Sequence, residues 1–486
     1  MGNTNTSRED ESTVITGGEA LSPASKLFLS PTFNCYVIAI IGINTRINPQ
    51  LIKQGLGDTL LNHPRFSSKL VKQGRKLKWV PTRVDLDKHV IVPEIDSEIE
   101  FPDQFVEDYV SNITTTPLDL SRPLWELHLL NIKTSDAEAV AVFRIHHSLG
   151  DGASLVSLFL ACTRKSSDSQ ALPSVPVHKR RPSAHSTSFF CFLLPLWLGI
   201  TLIWNTLVDM ILFVFTIFIK DTQTPLKGAP GVELNTKRFV HRAFSIDDIM
   251  LVKNSMNMTI NDVLLGITQA GLTRYLNRTY GGDAEAANET TRNKILKNIR
   301  LRASILVNIR PVAGIQDLAD MMAEKSKAKW GNLLGYMILP FTISLQEDPL
   351  EYVRQAKATV DRKKHSLEAI CSYLCAKLVL NLLGTKVAAA ITHRVLFNTT
   401  LAFSNVVGPL EEVSFYGHSL AYIAPSVYGH PHALTIHFQS YANKMTISVT
   451  VDPSAIPDPH RLCDDIEESL KMILDVVKKK LVTDVV

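Results

Sequence analysis

The run from His146 to Gly152 reads His-His-Ser-Leu-Gly-Asp-Gly and holds the residues best suited to chemistry in this chain. A neutral imidazole can take a proton from a hydroxyl group near pH 7, since the reference pKa of histidine is about 6.5. An aspartate followed by glycine, Asp151-Gly152, indicates a tight turn held by a carboxylate. A lone histidine is usually a hydrogen-bonded core residue, but two adjacent histidines with Asp-Gly at this spacing favour general-base catalysis.

A metal site is the main chemical alternative for these histidines. Adjacent side chains on a strand point to opposite faces, and no His-x-x-x-His or Cys-x-x-Cys completes a zinc ligand set. We expect Cys371 and Cys375, four apart in an apolar helical pattern, to pack in the core. His430, His432 and His437 do not share one strand face, so we expect surface histidines there. The sequence predicts no metal and no resident cofactor.

The motif lies between a predicted strand, residues 139–146, and a predicted helix, residues 153–163. Asn48 followed by Pro49 is typical of a helix start. Further helices are predicted at 48–61, 101–113, 246–256, 260–280, 350–364, 368–393 and 460–480. Further strands are predicted at 124–132, 303–309, 398–404, 432–440 and 444–451, with a hairpin turn at 441–444. Residues 281–297 are predicted to form a surface loop.

The composition excludes several classes of protein. Hydrophobic residues make up 45% of the 486 residues and charged residues 20%, which excludes a disordered chain. The net charge of +4 is too small to indicate nucleic-acid binding. Six cysteines without a paired motif are typical of a reducing compartment.

Changes in composition divide the chain into four segments. Residues 1–20 are polar, unlike a secretory signal, and are predicted to be a disordered leader; Gly2 matches a short myristoylation pattern. Residues 21–163 form a first predicted lobe. Residues 164–237 form a basic linker with an apolar segment, and residues 238–486 a second lobe.

The apolar segment, residues 189–219, contains no Lys, Arg or Glu and a single acidic residue, Asp209. As a helix it would measure about 46 Å, more than the hydrocarbon core of about 30 Å. Three readings stay open: a single span, a bent or interfacial segment with both ends on one side, and a helix buried in protein. Asp209 would be costly at bilayer depth.

The His-His-x-x-x-Asp-Gly motif resembles the active-site motif of the CoA-dependent acyltransferase superfamily. Over residues 20–480 the chain is similar to the plant members of the bifunctional wax ester synthase/diacylglycerol acyltransferase family. The sequence departs from that pattern at Val407, where many members have proline. The other motifs that carry the resemblance are Pro123-Leu124-Trp125-Glu126, Asn261-Asp262-Val263, Val307-Asn308-Ile309-Arg310-Pro311 and Ser404-Asn405-Val406-Val407-Gly408-Pro409.

The resemblance implies an α/β fold of two chloramphenicol-acetyltransferase-like lobes with the active-site channel between them. It implies transfer of a long-chain acyl group from acyl-CoA to a fatty alcohol, and also to diacylglycerol. His147 would be the general base, with His146 and Gly152 beside it in the site. Asp151 would hold the loop by pairing with an arginine, for which Arg310 is the candidate.

The resemblance also implies residues that contact substrate or stabilise the oxyanion. The candidates are Asn261, Asp262, Arg310 and Asn405. Asn261 could equally be a helix N-cap, because asparagine before a helical run is good capping chemistry.

The order of these residues bears on the membrane. His147 precedes the apolar segment and Asn261 follows it, so one shared channel requires both lobes on one side of the bilayer. This favours an interfacial or re-entrant segment. The resemblance implies the cytosolic face of the endoplasmic reticulum, and a myristoylated Gly2 would also allow the plasma membrane.

The competing functions are a non-catalytic lipid-binding protein with a vestigial site and a condensation-type acyltransferase.

Overall fold

The computed structural model describes residues 18–74, 76–96, 98–174, 190–282, 289–310 and 330–483. Most of the predicted leader lies outside these residues, including Gly2, and only residues 18–20 of it are described. The basic part of the linker and Pro311 also lie outside them.

The strands of the described residues form a seven-stranded, a six-stranded and a three-stranded sheet. The strands are β1 (Glu19–Ala20), β2 (Tyr36–Ile43), β3 (Ser68–Gln73), β4 (Lys76–Pro81), β5 (Val90–Ile91), β6 (Trp125–Leu130), β7 (Ala139–His146), β8 (Thr163–Lys165), β9 (Arg238–Ser245), β10 (Leu301–Asn308), β11 (Leu334–Phe341), β12 (Leu401–Val406), β13 (Val413–Phe415), β14 (His418–Tyr428), β15 (Leu434–Tyr441) and β16 (Lys444–Val451).

Most of the helices pack against the sheets and contribute apolar residues to a core, whereas the described side chains of α5 do not. They are α1 (Pro23–Leu27), α2 (Pro49–Asp58), α3 (Pro102–Ile113), α4 (Gly152–Ala161), α5 (Phe190–Phe215), α6 (Ile246–Ser255), α7 (Ile260–Gly282), α8 (Glu289–Lys297), α9 (Leu350–Lys364), α10 (Glu368–Phe397) and α11 (Pro459–Thr483).

Each large sheet has its own apolar core. The first sheet has the order β5-β6-β7-β2-β14-β13-β8, and its core includes residues of α2, α3 and α4. The second has the order β11-β10-β12-β15-β16-β9, and its core includes residues of α6, α7, α9 and α11. The sheets meet where β14 lies against β15 and β16. The mixed α/β architecture predicted from the sequence is confirmed.

Two strands of the predicted second lobe belong to the first sheet. β14 pairs antiparallel with β2, and β13 pairs antiparallel with β8. The sheet to which a strand belongs therefore does not follow from its position along the chain. The segment boundaries predicted from the sequence remain a prediction.

Many local predictions agree with the structure within a few residues. Asn48 caps α2, because its Oδ1 accepts a hydrogen bond from the amide of Gln50. The hairpin turn at 441–444 joins β15 to β16. The surface loop predicted at 281–297 is wrong in part, because residues 289–297 form α8 with Leu296 buried. The core packing predicted for Cys375 is also wrong, because Cys375 is exposed on α10.

The described side chains of the apolar helix α5 are largely exposed. This excludes the prediction that the segment is a helix buried in protein. Only 6% of Leu196–Phe215 is buried, and this stretch is long and apolar enough to cross a membrane. Asp209 is fully buried, 2.8 Å from Arg362 and 3.0 Å from Lys363. These two cations on α9 pair with the aspartate, so it is not an uncompensated charge in an apolar helix.

Candidate active site

The two adjacent histidines lie at the end of β7, where the register pairs His146 with Tyr36 of β2. The amide of His147 donates to the carbonyl oxygen of Cys35 at 2.9 Å, which extends the pairing by one residue. The ring of His147 stacks on Phe28, with 4.1 Å between ring centroids. His147 is therefore fixed by the end of the β7–β2 pairing on one side and by an aromatic ring on the other.

His146 points away from the cavity that His147 lines, as expected for neighbouring residues at the end of a strand. Its Nδ1 lies 2.7 Å from the Ser148 hydroxyl, and its Nε2 donates to Asn34 Oδ1 at 2.9 Å. Burial, assisted by the neighbouring His147 and Arg144, lowers the pKa of His146 to about 3. His146 is a neutral, hydrogen-bonded residue behind the site.

The environment of His147 favours the neutral imidazole. Burial lowers its pKa below the usual value of 6.5. Its own carbonyl oxygen, the charge of Asp151 and the side chain of Asn332 oppose that shift and raise the pKa, but burial dominates. The imidazole is consequently unprotonated at pH 7, which is the form that can accept a proton.

Asp151 and Arg310 form the ion pair predicted from the sequence, with 2.7 Å between Asp151 Oδ2 and Arg310 Nη1. Asp151 Oδ1 accepts from the amide of Ser154 and thereby caps α4. Asp151 Oδ2 also accepts from the amide of Leu333. Neither Asp151 nor Arg310 lines the cavity. The pair ties the histidine loop to the second half of the chain.

Side chains distant in sequence hold the three carbonyl groups that follow His146. Asn332 Nδ2 donates to the carbonyl of His147 at 3.0 Å, and Trp330 Nε1 donates to that of Leu149 at 2.7 Å. Ser25 Oγ donates to the carbonyl of Ser148 at 2.9 Å. These residues, and Phe28, were missed in the sequence, because no local pattern marks a contact between distant segments.

The structure brings Asn261 and Asn405 together, with 2.5 Å between Asn405 Nδ2 and Asn261 Oδ1. Asn405 lines the cavity. Asn261 is not the N-cap of α7. Thr259 and Asp262 form the capping box, in which each side chain accepts from the other residue's amide. The carboxylate of Asp262 is used there, outside the cavity.

The cavity beside His147 has a volume of about 390 Å³. Residues of both large sheets line it, together with α4, whose first residue, Gly152, faces it. Its walls are mainly apolar, which suits a hydrocarbon chain better than a polar ligand. The polar lining residues are His147, Ser304, Asn308, Tyr336, Ser404, Asn405, Ser426, His430, His432, His437 and Gln439.

Three of these residues were expected at the surface, and that expectation is wrong. His430, His432 and His437 are buried. Burial is the main cause that lowers the pKa of His430 to about 3 and that of His437 to about 4. His432 hydrogen-bonds to His430 at 3.1 Å and to Thr399 at 2.8 Å. Within the described residues these side chains form no group arranged to hold a metal ion.

Two family models match the chain. The model described as the wax ester synthase/diacylglycerol acyltransferase catalytic domain matches residues 54–264. The model described as the WS/DGAT C-terminal domain matches residues 330–474. The first match contains His147 and the second contains Asn332 and Asn405.

Curated proteins of Arabidopsis thaliana are similar to the chain over nearly its whole length. Wax ester synthase/diacylglycerol acyltransferase 11 is 57% identical over 95% of this chain and 96% of its own. Wax ester synthase/diacylglycerol acyltransferase 5 is 53% identical over 96% of this chain and 95% of its own.

Solved structures share the fold at low sequence identity. The wax ester synthase/diacylglycerol acyltransferase from Marinobacter aquaeolei VT8 has a TM-score of 0.59 at 18% identity, covering 95% of this chain and 100% of that chain. The starter condensation domain of rhizomide synthetase RzmA, solved with C8-CoA and Leu-SNAC, has a TM-score of 0.54 at 12% identity, covering 97% of each chain.

Proposed function

Because the chain belongs to the wax ester synthase/diacylglycerol acyltransferase family, an acyltransferase family, we propose that it transfers a long-chain acyl group from acyl-CoA to a long-chain fatty alcohol, forming a wax ester. Diacylglycerol is the proposed second acceptor. The observation that carries the proposal is the neutral imidazole of His147 on the wall of a largely apolar cavity between two lobes.

In the proposed reaction His147 takes the hydroxyl proton of the acceptor. Its Nδ1 is completely buried, so this role falls to Nε2. The acceptor oxygen forms a bond to the thioester carbon while the carbonyl oxygen becomes negative. When the carbon–sulfur bond breaks, the imidazolium returns the proton to the CoA thiolate. No covalent enzyme intermediate is needed.

We assign Asn405 to the negative oxygen of the tetrahedral intermediate. Asn405 lines the cavity, and the hydrogen bond to Asn261 fixes the orientation of its amide group. A donor held in place before the reaction stabilises developing charge without reorganising. Asn261 is then a positioning residue. Asp151 and Arg310 position the His147 loop through the backbone.

We propose that the enzyme works at a membrane surface with both lobes on the cytosolic side of the endoplasmic reticulum. The segments on either side of α5 support this arrangement, because both belong to the same folded body. The amide of Ser174 donates to Glu411, and Asp221 pairs with Arg302 at 2.6 Å. The chain is thus attached to one body at residue 174, before α5, and at residue 221, after it, which favours a helix that lies in or dips into the interface over one that spans it. Long-chain substrates concentrate there, at about 0.8 kcal/mol per buried CH₂ group.

The test is ester formation by membranes that contain the full chain, with labelled palmitoyl-CoA and hexadecanol, diacylglycerol or both. We expect wax ester from hexadecanol and at least about 100-fold less from His147→Ala, in line with the loss of a general base. His365→Ala, which removes an exposed histidine, is the control and should retain activity.

The products distinguish the competing functions. Triacylglycerol from diacylglycerol would establish the second activity. Absence of any ester from the unmodified chain, with retained lipid binding, would favour the non-catalytic reading. Ester formation that His147→Ala leaves unchanged would contradict the proposed base.

A further inference from the structure

Both ends of α10, a helix of 30 residues, are attached to the last part of α5 or to the residue directly after it. At its start, the amide of Leu367 donates to Thr206 Oγ1 at 2.9 Å. At its end, Asn398 Nδ2 donates to the carbonyl of Thr216 at 2.8 Å. The two attachment points, Thr206 in α5 and Thr216 directly after it, are ten residues apart, or about 15 Å, whereas a straight α10 would measure about 45 Å. The helix must therefore turn back on itself.

The turn lies at Gly384, which has φ 79° and ψ 175° inside the helix. This backbone conformation is accessible essentially to glycine alone. It divides α10 into an outgoing arm, residues 368–383, and a return arm, residues 385–397. The arms measure about 24 Å and about 20 Å, each shorter than a hydrocarbon core of about 30 Å. Length and hydropathy alone would class α10 as a membrane span, but its geometry is that of a helical hairpin.

The tip of the hairpin, residues 378–387, is largely apolar and mostly exposed, although Val379 and Leu380 are partly buried. Leu382 is 71% exposed, and Leu378 and Leu383 are each 58% exposed. The neighbouring helix α5 also exposes apolar residues, among them Trp197 and Trp204, a residue type enriched at membrane–water interfaces. Lys386 is the charged residue of the tip, and a long lysine side chain can extend its ammonium group back to the head groups.

The base of the outgoing arm is held firmly to the protein. Glu368 Oε1 accepts from the amide of Ile338, and Ser372 Oγ accepts from the amide of Tyr336. Lys363 joins Glu368, at 2.5 Å, to Asp209 of α5, at 3.0 Å. A buried ion network therefore connects the base of the hairpin with α5.

The return arm leads to the active site. Ala388, Ala389 and Leu396 form an apolar cluster with residues of and after α1, among them Phe28. Phe28 stacks on His147, and both Phe28 and Leu396 line the cavity. A series of buried apolar contacts thus connects the return arm with Phe28 and, through its ring, with the imidazole.

We propose that α10 is a re-entrant hairpin that inserts its tip into one leaflet of a phospholipid bilayer, and that its return arm guides the lipid acceptor from that leaflet to His147. The occupant of the exposed tip is the acyl region of the leaflet. The guiding role rests on the proposed acyl transfer, whereas insertion of the tip does not.

The insertion is tested by labelling full-length Leu383→Cys with a water-soluble maleimide and locating the label by peptide mapping. We expect labelling in detergent-free buffer to fall at least about 10-fold when phosphatidylcholine vesicles are added. Leu120→Cys, at a leucine that is 57% exposed in the loop before β6, is the matched control and should label equally in both. Equal labelling of Leu383→Cys with and without vesicles would overturn the proposal. So would protection that requires no lipid and grows with protein concentration, since that indicates contact with a second copy.

The guiding role is tested with Leu382→Glu/Leu383→Glu and the control Leu120→Glu. We expect the tip variant to lose at least about 10-fold in transfer to hexadecanol embedded in vesicles while retaining transfer to a short, water-soluble alcohol. Equal activity on vesicles would overturn the guiding role. Inactivity of the unmodified chain with every acceptor would instead reject the proposed function, and the labelling result would still stand.

Discussion

Asp151 and Arg310 form a buried ion pair between the first and second halves of the chain, with 2.7 Å between carboxylate and guanidinium. The side chains are 0% and 5% exposed. Removing one partner of a buried ion pair is strongly destabilising, because the remaining charge is left in the interior without compensation. The pair therefore determines both the stability of the interface between the lobes and the position of the His147 loop.

We expect Arg310→Ala to lower the free energy of unfolding by about 3–5 kcal/mol. Arg354→Ala, which breaks exposed ion pairs with Asp348 and Glu351, should cost no more than about 1 kcal/mol. Urea unfolding of the purified variants measures both. Equal losses for the two variants would show that the Asp151–Arg310 pair has no special structural importance.

The pH dependence of acyl transfer should reflect the lowered pKa of His147. A general base must be unprotonated, so kcat/KM should be constant around neutral pH and should fall as the pH drops through that pKa. Because burial places the pKa below 6.5, the acid limb should lie below pH 6.5. A profile of kcat/KM from pH 4 to 8 measures it. An acid limb centred above pH 7 would contradict the burial of a neutral imidazole.

Stability should also fall in acid, for a different reason. His146 and His430 have a pKa of about 3 and His437 one of about 4 in the folded chain, against about 6.5 when unfolded. Between these values the unfolded chain binds more protons than the folded chain, so the stabilisation present above pH 6.5 is lost progressively as the pH falls towards 4.

Urea midpoints at pH 7.5 and pH 5 measure this loss. His437→Gln should show a smaller difference between the two midpoints than the unmodified chain. A larger difference would mean that His437 is already protonated in the folded protein.

Asn405 and Asn261 should act as one unit in catalysis. We expect Asn405→Ala to lower kcat by about 100-fold, the typical effect of removing one oxyanion donor. Asn261→Ala should lower kcat less, since it releases the orientation of Asn405 without removing the amide. The double variant should be no slower than Asn405→Ala alone. Multiplicative losses would mean that the two side chains act independently.

The sequence by itself determined the features that depend on neighbouring residues. The histidine motif between a strand and a helix, the cap at Asn48 and the hairpin at 441–444 are all local. The partner of Asp151 could also be predicted, because the resemblance placed an arginine motif at Arg310. The exposure of Cys375 and the burial of His430 could not, because burial depends on which elements cover a residue.

Only the tertiary structure decided what surrounds His147 and how the chain meets a membrane. Phe28 and Asn332 contact His147 through segments that carry no recognisable pattern. The sequence predicts one apolar helix over residues 368–393, but Gly384 and the two attachments at and after the end of α5 make residues 368–397 a hairpin. Periodicity specifies which face of an element is apolar, whereas the contacts between distant elements specify what that face meets.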